Sequence, residues 1–249
     1  MYPVIHKKIL SSADDFLGET EILDYRHPEI QNLIIKENWK NLESIESKIR
    51  KVYNFVRDDI KFGYQEIDAV PASRVLGDGY GQCNTKANLL MALLRALEIP
   101  CRFHGFTIDK ALQKGAIPGI WFKLAPANIV HSWVEVQVDK KWYNLEGVIL
   151  DKKYLSQVQK KNVKQTGPFC GFGIYTSNLQ NPVIDWNLND TYIQDLGINQ
   201  DFGVYPSPDE FYREHGQNLN FIKKFVFKYV GRHMINRNVE RLRNFKESV

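Results

Sequence analysis

Three glycines in five residues, Gly77-Asp78-Gly79-Tyr80-Gly81, run into Gln82-Cys83 and then into a long stretch without glycine or proline. Glycine takes positive φ angles without steric penalty and weakens helix and strand interiors, so the first stretch predicts a tight turn. The second predicts a helix from Cys83 to about Leu97. Cys83, Ala87, Leu90, Met91, Leu94 and Leu97 recur along one apolar face of it. Glu98-Ile99-Pro100 stops the helix, because a residue before proline is driven out of the α region. Any fold of this chain must therefore carry a cysteine at the head of a core helix, directly behind a turn.

A thiol in that position meets unpaired backbone N–H groups and the positive end of the helix dipole. Both favour the thiolate, which is the nucleophilic form. Packing is the commoner role of a free cysteine, so the assignment depends on partners elsewhere in the chain. Three cysteines, at spacings of 18 and 69, form neither a disulfide framework nor a CxxC pattern. Asp185 to Asp190 has some of the acids of a calcium loop but lacks its glycine and its closing glutamate, and no zinc spacing occurs. No metal or other cofactor is expected.

The 249 residues, 43% hydrophobic, suffice for a full core. Residues 1–10 lack the apolar region of a signal peptide, and no run approaches the ~18 apolar residues of a membrane span. These features predict a soluble, cytoplasmic protein. The net charge of +4 is uneven. Residues 217–249 hold eight Lys and Arg against Glu240 and Glu247, a net +6, which leaves −2 for the rest. A basic C-terminal helix could therefore contact an anionic partner. Within it, Phe221, Phe225 and Tyr229 predict a docked first half, and the polar half after Gly231 reads as a solvated continuation.

Ser11 to Asp15 reads as a cap before a short helix. Asn41 is a candidate cap for a helix with Leu42, Ile45, Ile49, Val52, Tyr53 and Val56 on one face. Residues 60–64 read as a short extended piece, 71–76 as a lead into the glycine turn, and 101–108 as a strand. Residues 110–128 and 167–173 read as loops. Leu150 to Gln159 suggests a short helix, and Pro206 to Tyr212 a proline-led one.

The clearest local signal is a hairpin, Ile129 to Val138 and Lys141 to Glu146, around Asp139-Lys140. A two-residue turn places Trp133 opposite Glu146. His131 and Glu146 then share a sheet face as diagonal neighbours about 7–8 Å apart at Cα. A four-residue loop would set them directly opposite, so either register keeps them together. A histidine beside Cys83 could stabilise the thiolate and then protonate a leaving amine, with the carboxylate orienting the ring. His104, on the strand behind the cysteine helix, is the main competitor.

Taken in order, Ala72-Ser73-Arg74-Val75-Leu76, Gly81-Gln82-Cys83, Leu89 to Pro100, His131-Ser132-Trp133-Val134-Glu135-Val136 and Lys141 to Glu146 resemble the transglutaminase-like superfamily. The resemblance covers roughly residues 40–150. It implies an α+β, papain-like fold: a nucleophile-bearing helix on an antiparallel sheet, with a mostly helical C-terminal extension. The implied division is an N-terminal segment (1–40), a catalytic core (41–150) and an extension (151–249) packed on it. Carried over by position, Cys83 becomes the nucleophile, His131 the base and Glu146, where the family usually has aspartate, the orienting acid. Tyr64 is the leading oxyanion donor, with Gln82 and Trp39 behind it, and Trp133 flanks the site. The implied activity is amide hydrolysis or acyl transfer through a thioester, on a protein, peptide or small amide substrate. The alternative is a catalytically silent member that serves as a binding module.

Overall fold

The computed structural model describes residues 16–216 and 227–245. At its centre lies the cysteine helix, which is preceded in the chain by α1 (Pro28–Lys36), α2 (Ile45–Asp58) and α3 (Ala72–Asp78). This central helix, α4, spans Cys83–Ala96, and all of its residues are buried, not one face alone. Burial of its polar side is tolerable because each buried polar side chain finds partners. Asn84 donates to Val130 O (3.1 Å) and accepts from Ser132 (2.8 Å). Asn88 donates to Asp68 O and Val70 O, and Arg95 to Cys101 O. Lys86 donates to Arg57 O and Ile149 O, each at 3.0 Å.

Against α4 packs an antiparallel sheet of β3 (Cys101–Asp109), β4 (Asn128–Val138), β5 (Lys141–Asn144) and β8 (Ile198–Tyr205), in the order β5-β4-β3-β8. The β4–β5 hairpin has the two-residue turn that the sequence predicts. Asp139 and Lys140 both take positive φ (48° and 66°), and Glu135 pairs with Asn144. That conformation matches the twist of the flanking strands. On β3, Gly105 allows α7 (Pro208–His215) to lie against the sheet; a Cβ there would sit 2.1 Å from the Phe211 ring.

Several boundaries differ from the sequence reading. The cap of α2 is Ser44, whose hydroxyl accepts from Ser47 N, while Asn41 closes a short 3-10 turn. Residues 72–78, read as a lead-in, form α3, so Gly77 is helical. Gly79 takes φ 69° as its left-handed cap, and only then does the chain turn. Residues 110–128 hold a 3-10 turn (Lys110–Gln113) and α5 (Gly119–Leu124). Residues 167–173 fall largely within a small hairpin of β6 (Phe169–Gly171) and β7 (Ile174–Thr176).

The largest correction concerns the C-terminus. After a π turn at Phe227–Gly231 comes α8 (Arg232–Arg243), which is docked rather than solvated. Ile235, Val239 and Leu242, spaced i, i+4, i+7, are buried together with Arg243. Arg243 pairs with Asp151 at 2.7 Å, just before α6 (Lys152–Lys161), and donates to Phe62 O at 2.7 Å. Phe221, Phe225 and the candidate cap at Ser11 lie outside the described residues. No helix among the described residues is long and apolar enough to cross a membrane.

Candidate active site

A two-stranded parallel ladder, β1 (Lys61–Phe62) on β2 (Tyr80–Gly81), delivers the chain to Cys83. The Gln82 backbone N–H donates to Thr85 Oγ1 (3.1 Å), which closes the helix entry and leaves Cys83 as the first residue of α4. Cys83 is 8% exposed.

His131 comes from β4 and Glu146 from the 3-10 turn (Glu146–Val148) after β5, and neither has exposed surface. His131 Nε2 donates to Glu146 Oε1 at 2.8 Å. The second carboxylate oxygen accepts from the backbone N–H groups of Ile193 (2.8 Å) and Gln194 (2.9 Å). Glu146 is thus clamped by three N–H donors, and the tautomer of His131 is set. Nδ1 makes no contact of good hydrogen-bond geometry, and Cys83 acts on the ring both by charge and by hydrogen bonding. Burial alone would push the His131 ring downward in pKa. The negative charge of Cys83, then that of Glu146, overcome this and carry it up to about 10. The pocket therefore favours imidazolium beside the sulfur.

The remaining candidates are engaged otherwise. The Tyr64 hydroxyl lies near Cys83 electrostatically but donates to Gln113 Oε1, and its backbone N–H and C=O are both held by the Asn236 amide (2.7 and 2.9 Å). Gln82 accepts from Gln65 N (2.8 Å) and donates to Asp68 (3.2 Å), so it ties loops together. Trp39 packs edge-on against Phe55, in a different apolar cluster from Cys83. Trp133 lies on the Phe106 ring (4.1 Å between centroids) and 6.5 Å from the His131 ring, where it walls the pocket. Both ring nitrogens of His104 face carboxylates, Glu135 at 2.6 Å and Asp201 at 2.9 Å, so neither serves the thiol.

Three contributors were not foreseen from sequence. Ile193 and Gln194 act through backbone N–H groups, which leave no signature in residue type. Lys86 does leave one, a charge in the first half of a helix whose residues are otherwise mostly apolar or small and polar. It bridges the end of α2 to the turn that carries Glu146, and burial pushes it down to about 7. Among the described residues no group of three His, Cys, Asp or Glu side chains is placed to hold a metal ion.

Cys83, His131 and Glu146 all fall within residues 35–147, which match the transglutaminase-like superfamily. Over residues 35–147 the chain is similar to a transglutaminase-like core. The α+β architecture and antiparallel sheet are those of this fold. A solved structure from Cytophaga hutchinsonii, named as a candidate cysteine protease, is similar over 80% of this chain at 14% identity, with a TM-score of 0.46. The chain spans about half of that protein, 48% of its length. No curated protein matches the sequence. Much of what surrounds the transglutaminase-like core, including Ile193, Gln194 and α8, lies outside the matched range.

Proposed function

We propose that the protein is a thiol-dependent amide hydrolase or acyltransferase in which Cys83, His131 and Glu146 are the catalytic residues. The observation that carries this reading is the buried His131–Glu146 hydrogen bond, on a ring that Cys83 acts on both by charge and by hydrogen bonding. The Cys83 thiolate attacks the amide carbonyl and forms a C–S bond. As the C–N bond breaks, the His131 imidazolium gives its proton to the departing amine. Water or an amine then attacks the thioester, His131 takes the proton of that nucleophile, and the C–S bond breaks to release acid or new amide. Glu146 holds the charged ring throughout. All three cysteines are free thiols, which suits a reducing setting such as the cytoplasm.

Selective alkylation tests the reading. A neutral haloacetamide, followed by peptide mapping, should label Cys83 ahead of the exposed Cys170, and His131→Ala should abolish that preference. Cys83→Ala should eliminate turnover of any amide substrate the wild type processes, with little loss of thermal stability. Full turnover by Cys83→Ala would overturn the assignment and favour a binding module.

A further inference from the structure

Helix α8 is docked, yet Arg237 on it forms no ion pair among the described residues. A cavity of about 730 Å³ lies between the β1–β2 ladder and α8. Its charged lining comprises Lys61, Asp78, His233, Arg237, Glu240 and Arg243. Most of these charges are already met. Arg243 is paired with Asp151, Glu240 accepts from Arg243 (2.5 Å) and Asn244 (2.6 Å), and Asp78 accepts from Gln65 at 2.9 Å. Lys61 and Arg237 form no close ion pair among the described residues, although the Lys61 charge helps to lower Glu240, and both are exposed to the cavity. On α8, His233, Arg237 and Glu240 form a second stripe beside the buried one.

The floor of this cavity is the ladder that delivers the thiol, with Lys61 opposite Tyr80. From Tyr80 to Cys83 is three residues, or roughly 10 Å of extended chain. A polypeptide whose reacting carbonyl sits at Cys83, and which runs back along this ladder, would bring side chains about three positions away towards the cavity that Lys61 and Arg237 line.

Building on the proposed function, we infer that this cavity is a substrate subsite for a carboxylate side chain, Asp or Glu, about three residues from the reacting amide of a polypeptide. The mixed lining selects a polypeptide over a nucleic acid. A uniformly anionic polymer would face Asp78 and Glu240, whereas a peptide can set its carboxylates against the cations and its N–H groups against those acids. The size suits a short segment, since ligand clefts commonly hold about 300–1,000 Å³.

Fluorescence anisotropy on the full-length Cys83→Ala protein tests the inference without any chemistry. The probes are a labelled Glu-rich hexapeptide and its Gln isostere. The acidic peptide should bind roughly tenfold more tightly, and Arg237→Glu or Lys61→Glu should each remove most of that preference. Raising the salt should narrow the difference. Arg237→Gln, at an exposed helix position, provides a milder second variant, and unchanged melting confirms its fold. Equal affinity for the two peptides, or a preference untouched by all three variants, overturns the inference. So does displacement of the peptide by inorganic phosphate or an oligonucleotide at lower concentration, which would make the cavity a phosphate site. Alkylation of Cys83 reports separately on the catalytic assignment. Selective labelling without acid preference would refute the subsite alone, and acid preference without selective labelling would refute the catalytic reading alone.

Discussion

At the scale of single residues, His131 has the most consequential environment. It is fully buried, yet Cys83 and Glu146 together hold its ring as a cation up to about 10. A reaction that needs imidazolium as general acid should therefore keep its rate well above neutrality and lose it as pH rises through that range. Glu146→Gln removes the charge that steadies the ring while preserving its size. We expect turnover to fall by on the order of 10²-fold, with the alkaline limb displaced to lower pH. Glu146→Asp keeps the charge and should retain more activity. Rates measured from pH 6 to 11 check both. Identical profiles for the three proteins would remove Glu146 from the mechanism.

At the scale of elements, α8 behaves as part of the core, although its composition reads as a solvated basic arm. Its apolar stripe is short, but Arg243 adds a buried ion pair to Asp151 and a hydrogen bond to the strand that leads to Tyr64. Burial opposes ionisation of Asp151, and the Arg243 hydrogen bonds outweigh it, holding the carboxyl below its usual range. Its contribution is thus present above the ordinary carboxylate pKa and is lost as pH falls through the depressed value. Arg243→Ala would leave the buried Asp151 carboxylate without its cation, held only by the Phe62 and Tyr154 N–H groups, at a cost of about 3 kcal/mol. Denaturant unfolding at pH 7 should show that loss and at pH 3 a smaller one. Deleting residues 232–249 should cause aggregation, because Ile235, Val239 and Leu242 leave an apolar surface uncovered. A soluble truncation with an unchanged melting temperature would return α8 to the status of a free arm.

At the scale of the whole molecule, two buried groups oppose each other in their effect on stability. The folded-state pKa of His131 is raised, so its contribution is complete below its ordinary value of 6.5 and is lost as pH rises towards about 10. Lys86 is lowered from 10.5 to about 7, mainly by burial. Between those values the unfolded chain binds more protons at this site than the folded one, so its contribution improves with rising pH. Over the same alkaline range one term falls while the other rises. Lys86→Met deletes the rising term, so its stability should decline with pH between about 7 and 10 more steeply than that of the wild type. Unfolding free energies at pH 6, 8 and 10 measure this, and parallel curves would show that Lys86 does not titrate in the fold.

Local chemistry alone made the turn, the cysteine helix and the hairpin legible. Gly79, the apolar spacing from Cys83 to Leu97 and the alternation around Asp139-Lys140 act over distances that the chain itself sets. The hairpin register predicts Glu146 on the second strand opposite Trp133, but β5 ends at Asn144, and Glu146 reaches His131 from the 3-10 turn beyond it, where its backbone N–H is held by Thr191 O at 3.1 Å. Spacing could not reveal which polar groups would be answered from afar. Only the folded chain brings Ile193 and Gln194 N–H groups to Glu146, turns the Tyr64 hydroxyl to Gln113, and buries Lys86 between two carbonyls. The same holds for Arg243, whose Asp151 partner lies 92 residues away in the chain. Periodicity reports which face of an element is apolar, whereas a buried charge is tolerated only where tertiary contacts supply its partner, and that partner is absent from the local sequence.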